Sequence, residues 1–314
     1  MTSLSMKTAA GPGGGTKAAG SVTEPLKGVL LLVASLWALS GLDASGKYVM
    51  GAGVPLLVLC LVRYLVHLVL VLALVVPAKG WRAVRCQRPG AQIARGASML
   101  LATMSFFTTL HYLPQAQGTA INFLAPLLVL SVAPWVLKEP PRKSRWIAAG
   151  VGFLGVMIVV RPGSGLDPVG TLFGLLTACI LSVQYITTRR VAVDDPYTSL
   201  IWSGGVGSVF MILALPFIWS DVVQTFAQLS MGQVLVLLGT GFWGSFGHLL
   251  QIQAYRCAPA SLLAPFIYFQ IVSAATLGWL IWGQFPDGLS WVGIAVVCMS
   301  GMTIGMVEWR RRNI

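Results

Sequence analysis

Residues 114–139 read PQAQGTAINFLAPLLVLSVAPWVLKE, and residues 259–284 read PASLLAPFIYFQIVSAATLGWLIWGQ. Each stretch opens on a proline, runs through one long apolar segment and closes on a polar stop, Lys138–Glu139 in the first and Gln284 in the second. A tryptophan follows seven residues later in both, Trp146 and Trp291. Nearer the start of each half, Ser40 and Lys47 match Ser182 and Arg189, seven residues apart both times. One unit is therefore written twice. A doubled unit in a lipid-soluble chain suggests two halves closing around a central site.

The composition says what solvent that unit meets. Of 314 residues, 56% are hydrophobic and 10% are charged, with a mean hydropathy of +0.80. Soluble domains carry about 25% charged residues. In lipid only helices or closed barrels satisfy every backbone polar group. The apolar stretches here have the length of spanning helices, about 20 residues, and lack barrel-type alternation. The fold class is an all-α polytopic membrane protein with ten transmembrane helices, at 27–47, 55–76, 92–112, 116–137, 145–161, 168–188, 198–219, 232–254, 260–282 and 290–309.

The net charge of +12 invites a nucleic-acid reading, but its placement opposes it. With ten spans, 18 of the 21 Lys and Arg residues fall on one side, Lys47 and Arg161 on the other, and Arg63 inside a span. The positive-inside rule then puts both termini in the cytoplasm. Basic loops facing anionic lipid headgroups account for the charge, so membrane lipid is an expected partner and nucleic acid is not.

Residues 1–25 are expected to be a disordered cytoplasmic tail, rich in Gly, Ala, Ser and Thr. The first apolar segment is of full length with no small-residue cleavage site, so it reads as the first span. The loops are short and leave no room for a soluble catalytic domain. The cysteines (60, 86, 179, 257 and 298) show no metal or disulfide spacing. GPGGG at Gly11–Gly15 lacks the strand and helix of a phosphate loop. No enzyme activity, cofactor or metal is expected.

Polar residues inside spans carry the functional signal, because a charge at mid-membrane costs about 2.5–3.5 kcal/mol on insertion scales and is kept facing an interior or a cavity. Helical spacing sorts them into stripes. Ser40, Asp43 and Lys47 share one face of the first span, with Asp43 and Lys47 spaced to pair. Arg63 and His67 align in the second, and Gln115, Thr119, Asn122 and Pro126 in the fourth. Thr177, Gln184 and Thr188 align in the sixth, and Thr240, Gly244, His248, Gln251 and Tyr255 in the eighth. In the ninth, Phe266 and Gln270 align, with Tyr268 to one side. Lipid cannot lie on that side of all six helices.

Each stripe has a plainer reading. Asp43 with Lys47 is equally an interfacial pair, because long Lys stems reach the membrane surface. Arg63 and His67 serve as well to pair with Asp43 between neighbouring helices. Asn122 and Gln270 suit interhelical hydrogen bonds worth about 0.6 kcal/mol each. Ser and Thr in spans usually bond their own helix backbone and carry little weight. Pro126 and Pro265 should bend the fourth and ninth helices; a 145-residue offset places Pro126 on Ile271, so the kinks are not expected to correspond. Gly150, Gly152 and Gly155, with Gly293, Gly301 and Gly305, mark the fifth and tenth spans as scaffold or dimer surface.

The chain resembles the EamA-type carriers of the drug/metabolite transporter superfamily. The resemblance lies in LWALSGLDASGKYV (36–49), Arg63, HYLPQAQGTAINFLAPLLVLSVAPWVLKE (111–139), YRCAPASLLAPFIYFQIVSAATLGWLIWGQFPD (255–287), Trp291 and Gly293. It spans about residues 26–309, and Gln284 departs from it by standing where the family usually has Glu. It implies two inverted five-helix repeats, 26–161 and 162–310, both termini cytoplasmic, a central cavity and alternating access. Inversion also follows from an odd helix count, since the second copy must enter from the opposite side.

The expected function is a secondary transporter of the inner membrane that exports amino acids or related amphipathic metabolites. An importer of the same fold is the near alternative, and a channel the alternative from another class. The expected substrate site comprises Asp43, Arg63, His67, Asn122, Gln184, Tyr185, His248, Gln251, Tyr268 and Gln270. Arg63 would receive a carboxylate, and Tyr185 and Tyr268 an aromatic moiety. Asp43, His67 or His248 would carry a coupled proton. The carrier is expected to work as a monomer or homodimer.

Overall fold

The computed structural model describes residues 25–136, 143–161, 166–258 and 260–312. The tail expected over residues 1–25 lies outside them apart from Pro25, as do Lys138, Glu139 and Pro259. Six helices are each long and apolar enough to cross a membrane. They are α1 (Pro25–Gly51), α2 (Leu56–Lys79), α3 (Pro89–Tyr112), α7 (Pro168–Arg190), α8 (Pro196–Gln228) and α9 (Met231–Cys257). Two further rods are α6 (Lys143–Val160) and α12 (Gly288–Arg312). The fourth span is broken into α4 (Gln115–Asn122) and α5 (Leu124–Val136). The ninth is α10 (Ala260–Leu263), a 3-10 turn over Ala264–Tyr268, and α11 (Phe269–Trp282). Counting each broken span once gives ten rods among the described residues, and no strand is among them. The chain is a multi-pass membrane protein.

The two breaks correct the sequence expectation that the kinks do not correspond. They fall at Phe123 and Tyr268, which are 145 residues apart, so they occupy matching places in the two halves. The prolines act from opposite sides of the break. Pro126 follows Phe123 by three residues; it has no N–H for the Asn122 carbonyl four residues back, and α4 ends at Asn122. Pro265 precedes Tyr268 by three residues, inside the 3-10 turn. The Phe123 and Tyr268 rings then meet at 4.9 Å between centroids, so both breaks lie at one point of the molecule.

Packing between the halves is reciprocal. The first span of each half lies along the third span of the other, α1 with α9 and α7 with α3. Second span meets second (α2 with α8), fourth meets fourth (α4 with α11), and fifth meets fifth (α6 with α12). The last contact is made backbone to backbone. A Cβ on Gly155 would come within 3.0 Å of the Gly293 carbonyl, and one on Gly293 within 2.7 Å of the Gly155 carbonyl. That places these glycines between helices of the bundle. Ile121, Leu124 and Leu127 form one apolar core with Val156, Ile271 and Val297. Leu42, Val58, Leu59, Phe107 and Leu237 form a second, where α1, α2, α3 and α9 meet.

The bundle has two ends. At one, Lys47 reaches the turn between α3 and α4, and Arg161 pairs with Asp287 before α12. At the other, Lys79 pairs with Asp195, Arg88 donates to the Arg190 carbonyl at 2.9 Å, and Gln92 donates to Asp194 at 2.8 Å. They are called the Lys47 face and the Lys79 face below.

Candidate functional site

Three of the expected residues gather around Arg63. Arg63 is 8% exposed, and its guanidinium donates through Nη1 to the Thr103 hydroxyl at 2.5 Å. It lies 5.2 Å from the Tyr64 ring and 5.7 Å from the Phe107 ring, where cation–π attraction offsets part of its desolvation. Asp43, 7% exposed, is within reach of the Arg63 charge but forms no direct ion pair with it. His67, one turn beyond Arg63 on α2, faces the Ser245 hydroxyl through Nδ1 at 3.0 Å. Its ring meets that of His248 edge-on at 6.3 Å. The Leu200 carbonyl approaches the His67 ring, yet Nε2 is buried without a hydrogen bond of normal geometry. Gln251 stands beside His248 one turn on. Gly244 on α9 makes room for the group, since a Cβ there would meet the Leu42 side chain at 3.5 Å and Arg63 Nε at 3.9 Å.

Tyrosines form a second group. Tyr185 on α7 is within electrostatic reach of Tyr255 on α9 and of Tyr268. Tyr185 is 43% exposed and Tyr255 40%, and α7 and α9 do not pack along one another. Tyr268 is more confined: its ring touches Phe123, and a Cβ on Gly301 would collide with its hydroxyl. Gln184 lies on a different side of α7 from Tyr185; its carbonyl accepts from Thr188, whose hydroxyl in turn accepts from Arg95 Nε at 2.9 Å. Asn122 and Gln270 flank the crossing of the broken spans. The Asn122 Oδ1 is buried with no partner, and the Gln270 backbone carbonyl accepts from the Ser273 hydroxyl at 3.0 Å.

Two expected contacts are corrected. Asp43 does not pair with Lys47, because the longer Lys stem carries Nζ to the Leu113 carbonyl at 2.6 Å and to Gln284 Oε1 at 3.2 Å. Arg63 does not pair directly with Asp43; its Nη1 donates to Thr103 instead. Sequence reasoning missed Thr103 and Ser245. Each hydroxyl donates to its own helix, to Met99 and Gly241 at 2.8 Å, and still offers lone pairs to Arg63 or His67. A Thr aligned with an intramembrane Arg on a neighbouring helix is the only signal the sequence held.

The family comparison finds the doubling of the chain as well. The model of the EamA-like transporter family matches residues 26–161 and again residues 168–306. The chain belongs to the EamA-like transporter family. Two similar relatives are named for their substrates. A "Riboflavin transporter" of Vibrio cholerae serotype O1 is 27% identical over 306 residues, covering 93% of this chain and 98% of its own. An "S-adenosylmethionine uptake transporter" of Rickettsia prowazekii is 24% identical over 272 residues, covering 87% and 90%. An "Uncharacterized transporter" of Helicobacter pylori is 29% identical over 212 residues, covering 66% and 70%. A crystal structure superposes with a TM-score of 0.60 at 19% identity, covering 92% of this chain and all of that one, which shows the likeness of fold. This EamA-like transporter therefore presents the Arg63 cluster as its candidate site.

Proposed function

We propose that the chain is a secondary carrier that moves small amphipathic metabolites across the inner membrane by alternating access. Its moving parts are two inverted five-helix repeats, 26–161 and 162–310, and both termini face the cytoplasm. The observation that carries this reading is the Arg63 cluster: Asp43, Arg63, His67 and His248 held inside an apolar bundle where a charge is expensive. Reciprocal packing of the halves and the paired breaks at Phe123 and Tyr268 support the repeat reading, since discontinuous spans at the repeat interface are where such carriers bind.

In this reading Arg63 receives an anionic group of the substrate through its remaining N–H donors. Tyr185 and Tyr255 offer rings to a flat apolar moiety, and Asp43, His67 or His248 carries a coupled proton. Riboflavin and S-adenosylmethionine each join a heterocycle to polar groups, as do some amino acids. The name of the S-adenosylmethionine relative, an uptake transporter, favours uptake over the export that the sequence suggested. One chain holds the whole cluster, so a monomer suffices.

The test is flux in proteoliposomes loaded in either direction with riboflavin, S-adenosylmethionine or amino acids. Saturable flux is expected for a carrier and non-saturable flux for a channel. Arg63→Ala, leaving a substrate charge without its donor, should lower flux at limiting substrate by about tenfold or more. Wild-type flux in Arg63→Ala, His67→Ala and His248→Ala alike would remove the site assignment.

A further inference from the structure

We propose that the seam between α1, α4 and α11 is the gate on the Lys47 face, and that Lys47 is its latch. The proposal rests on the alternating-access reading above. Lys47 Nζ donates to the Leu113 carbonyl at 2.6 Å, in the turn that leads into α4, and to Gln284 at 3.2 Å, just past α11. It also lies 5.1 Å over the Trp282 ring at the end of α11. One cation on α1 thus ties down the ends of both broken spans. Gly283, in the left-handed region at φ +66°, ends α11 and turns Gln284 back toward α1.

The layer behind the latch is closed by hydrogen bonds. Gln115 Nε2 donates to the Ser40 carbonyl at 2.9 Å, and the Ser40 and Ser273 hydroxyls lie 2.6 Å apart. All three residues are 0% exposed. Seven residues of α1 separate Ser40 from Lys47, so the closed layer is about 10 Å thick.

The chemistry of this seal marks it as one that opens. Closing it leaves Gln115 Oε1, Thr119 Oγ1 and Asn122 Oδ1 buried without partners on one stripe of α4. A polar group buried unpaired is unfavourable, and water or substrate entering the seam would satisfy it. The closed state is therefore held by the latch against a set of acceptors that gain by hydration. The α6–α12 contact is of another kind, made where glycine backbones touch. Toward the Lys79 face, α7 and α9 stand apart and Tyr185 and Tyr255 keep accessible rings. The structure is the state closed at the Lys47 face.

The experiment places a single cysteine in the seam. In a background lacking the native cysteines, Ser273→Cys is labelled with a membrane-impermeant maleimide in lipid nanodiscs. Lys47→Met keeps the apolar stem and removes the donor, and should raise the labelling rate by about tenfold. Gln284→Glu replaces a neutral acceptor with a carboxylate, and should slow labelling below the parent rate and reduce saturable flux with it. The opposite sign of the second variant keeps the test sharp should the first fail to fold. Labelling unchanged in Gln284→Glu, with saturable flux intact, overturns the latch and leaves the carrier standing. Absence of saturable flux in the parent protein overturns the carrier reading itself.

Discussion

Arg63 uses one guanidinium nitrogen on Thr103, and Tyr64 shares the same hydroxyl at 3.0 Å. Thr103→Val keeps the shape of the side chain and deletes that acceptor. Thermal unfolding should show a loss of about 1–3 kcal/mol, and substrate affinity in flux assays should fall along with it. The Arg63 and His67 stripe was legible because two ionisable groups four residues apart in an apolar run have no lipid-facing explanation. Thr103 was not, because a Thr in a span most often satisfies itself on its own backbone, and this one does so as well. Asp287, outside the spans, makes a second residue-scale prediction. The hydrogen bond from Arg161, then those from Ser290, hold its carboxyl well below the usual carboxylate range. A depressed pKa contributes stability above the unfolded value, lost only as pH falls through the folded one. Asp287→Asn should lower the melting temperature at pH 7, and the difference from the parent should vanish only in strong acid.

At the scale of elements, the broken spans hold the information that proline positions alone concealed. A proline stops the helix behind it, so the break is felt at Asn122–Phe123 and not at Pro126. Pro126→Ala restores a donor to the Asn122 carbonyl. It should raise the melting temperature, or leave it level, while lowering saturable flux, because a continuous fourth span loses its hinge. The glycine faces of the fifth and tenth spans were legible as close-packing surfaces from composition. Their partners were not, since a glycine stripe serves a dimer as well as a bundle. Gly155→Leu must push α6 off Gly293 and Val297, and should cost about 1–3 kcal/mol of stability by thermal unfolding.

For the whole molecule, the ten apolar stretches located nine of the ten rods to within four residues at either end, since apolar length is a direct reading of bilayer thickness, while α8 runs nine residues past its expected end at 219. How the rods pair was hidden, because reciprocal packing between α1 and α9 or α3 and α7 depends on contacts up to about two hundred residues apart, such as Ser35 donating to the Gly247 carbonyl across 212 positions. Topology gives the prediction at this scale. With Cys86 as the only native cysteine kept, Ala52→Cys should react with an impermeant maleimide added outside the cell, and Cys86 should react only after the membrane is opened. Burial, then the Asp194 charge, hold the Cys86 thiol above its usual range, so the comparison is made at mildly alkaline pH. Labelling of both from outside would refute the orientation.

The 33 residues of α8 amount to about 50 Å of helix, against a hydrocarbon slab of about 30 Å. Trp219, 59% exposed, is a natural waterline marker, and Asp221 follows two residues on. The remaining turns through Gln228 would then reach the Lys47 face held against the bundle, since Thr225 is buried and Val222 and Leu229 pack on the core that holds Val49 and Val54. Such a buttressed helix end offers a rigid handle for a nanobody directed at the Lys47 face.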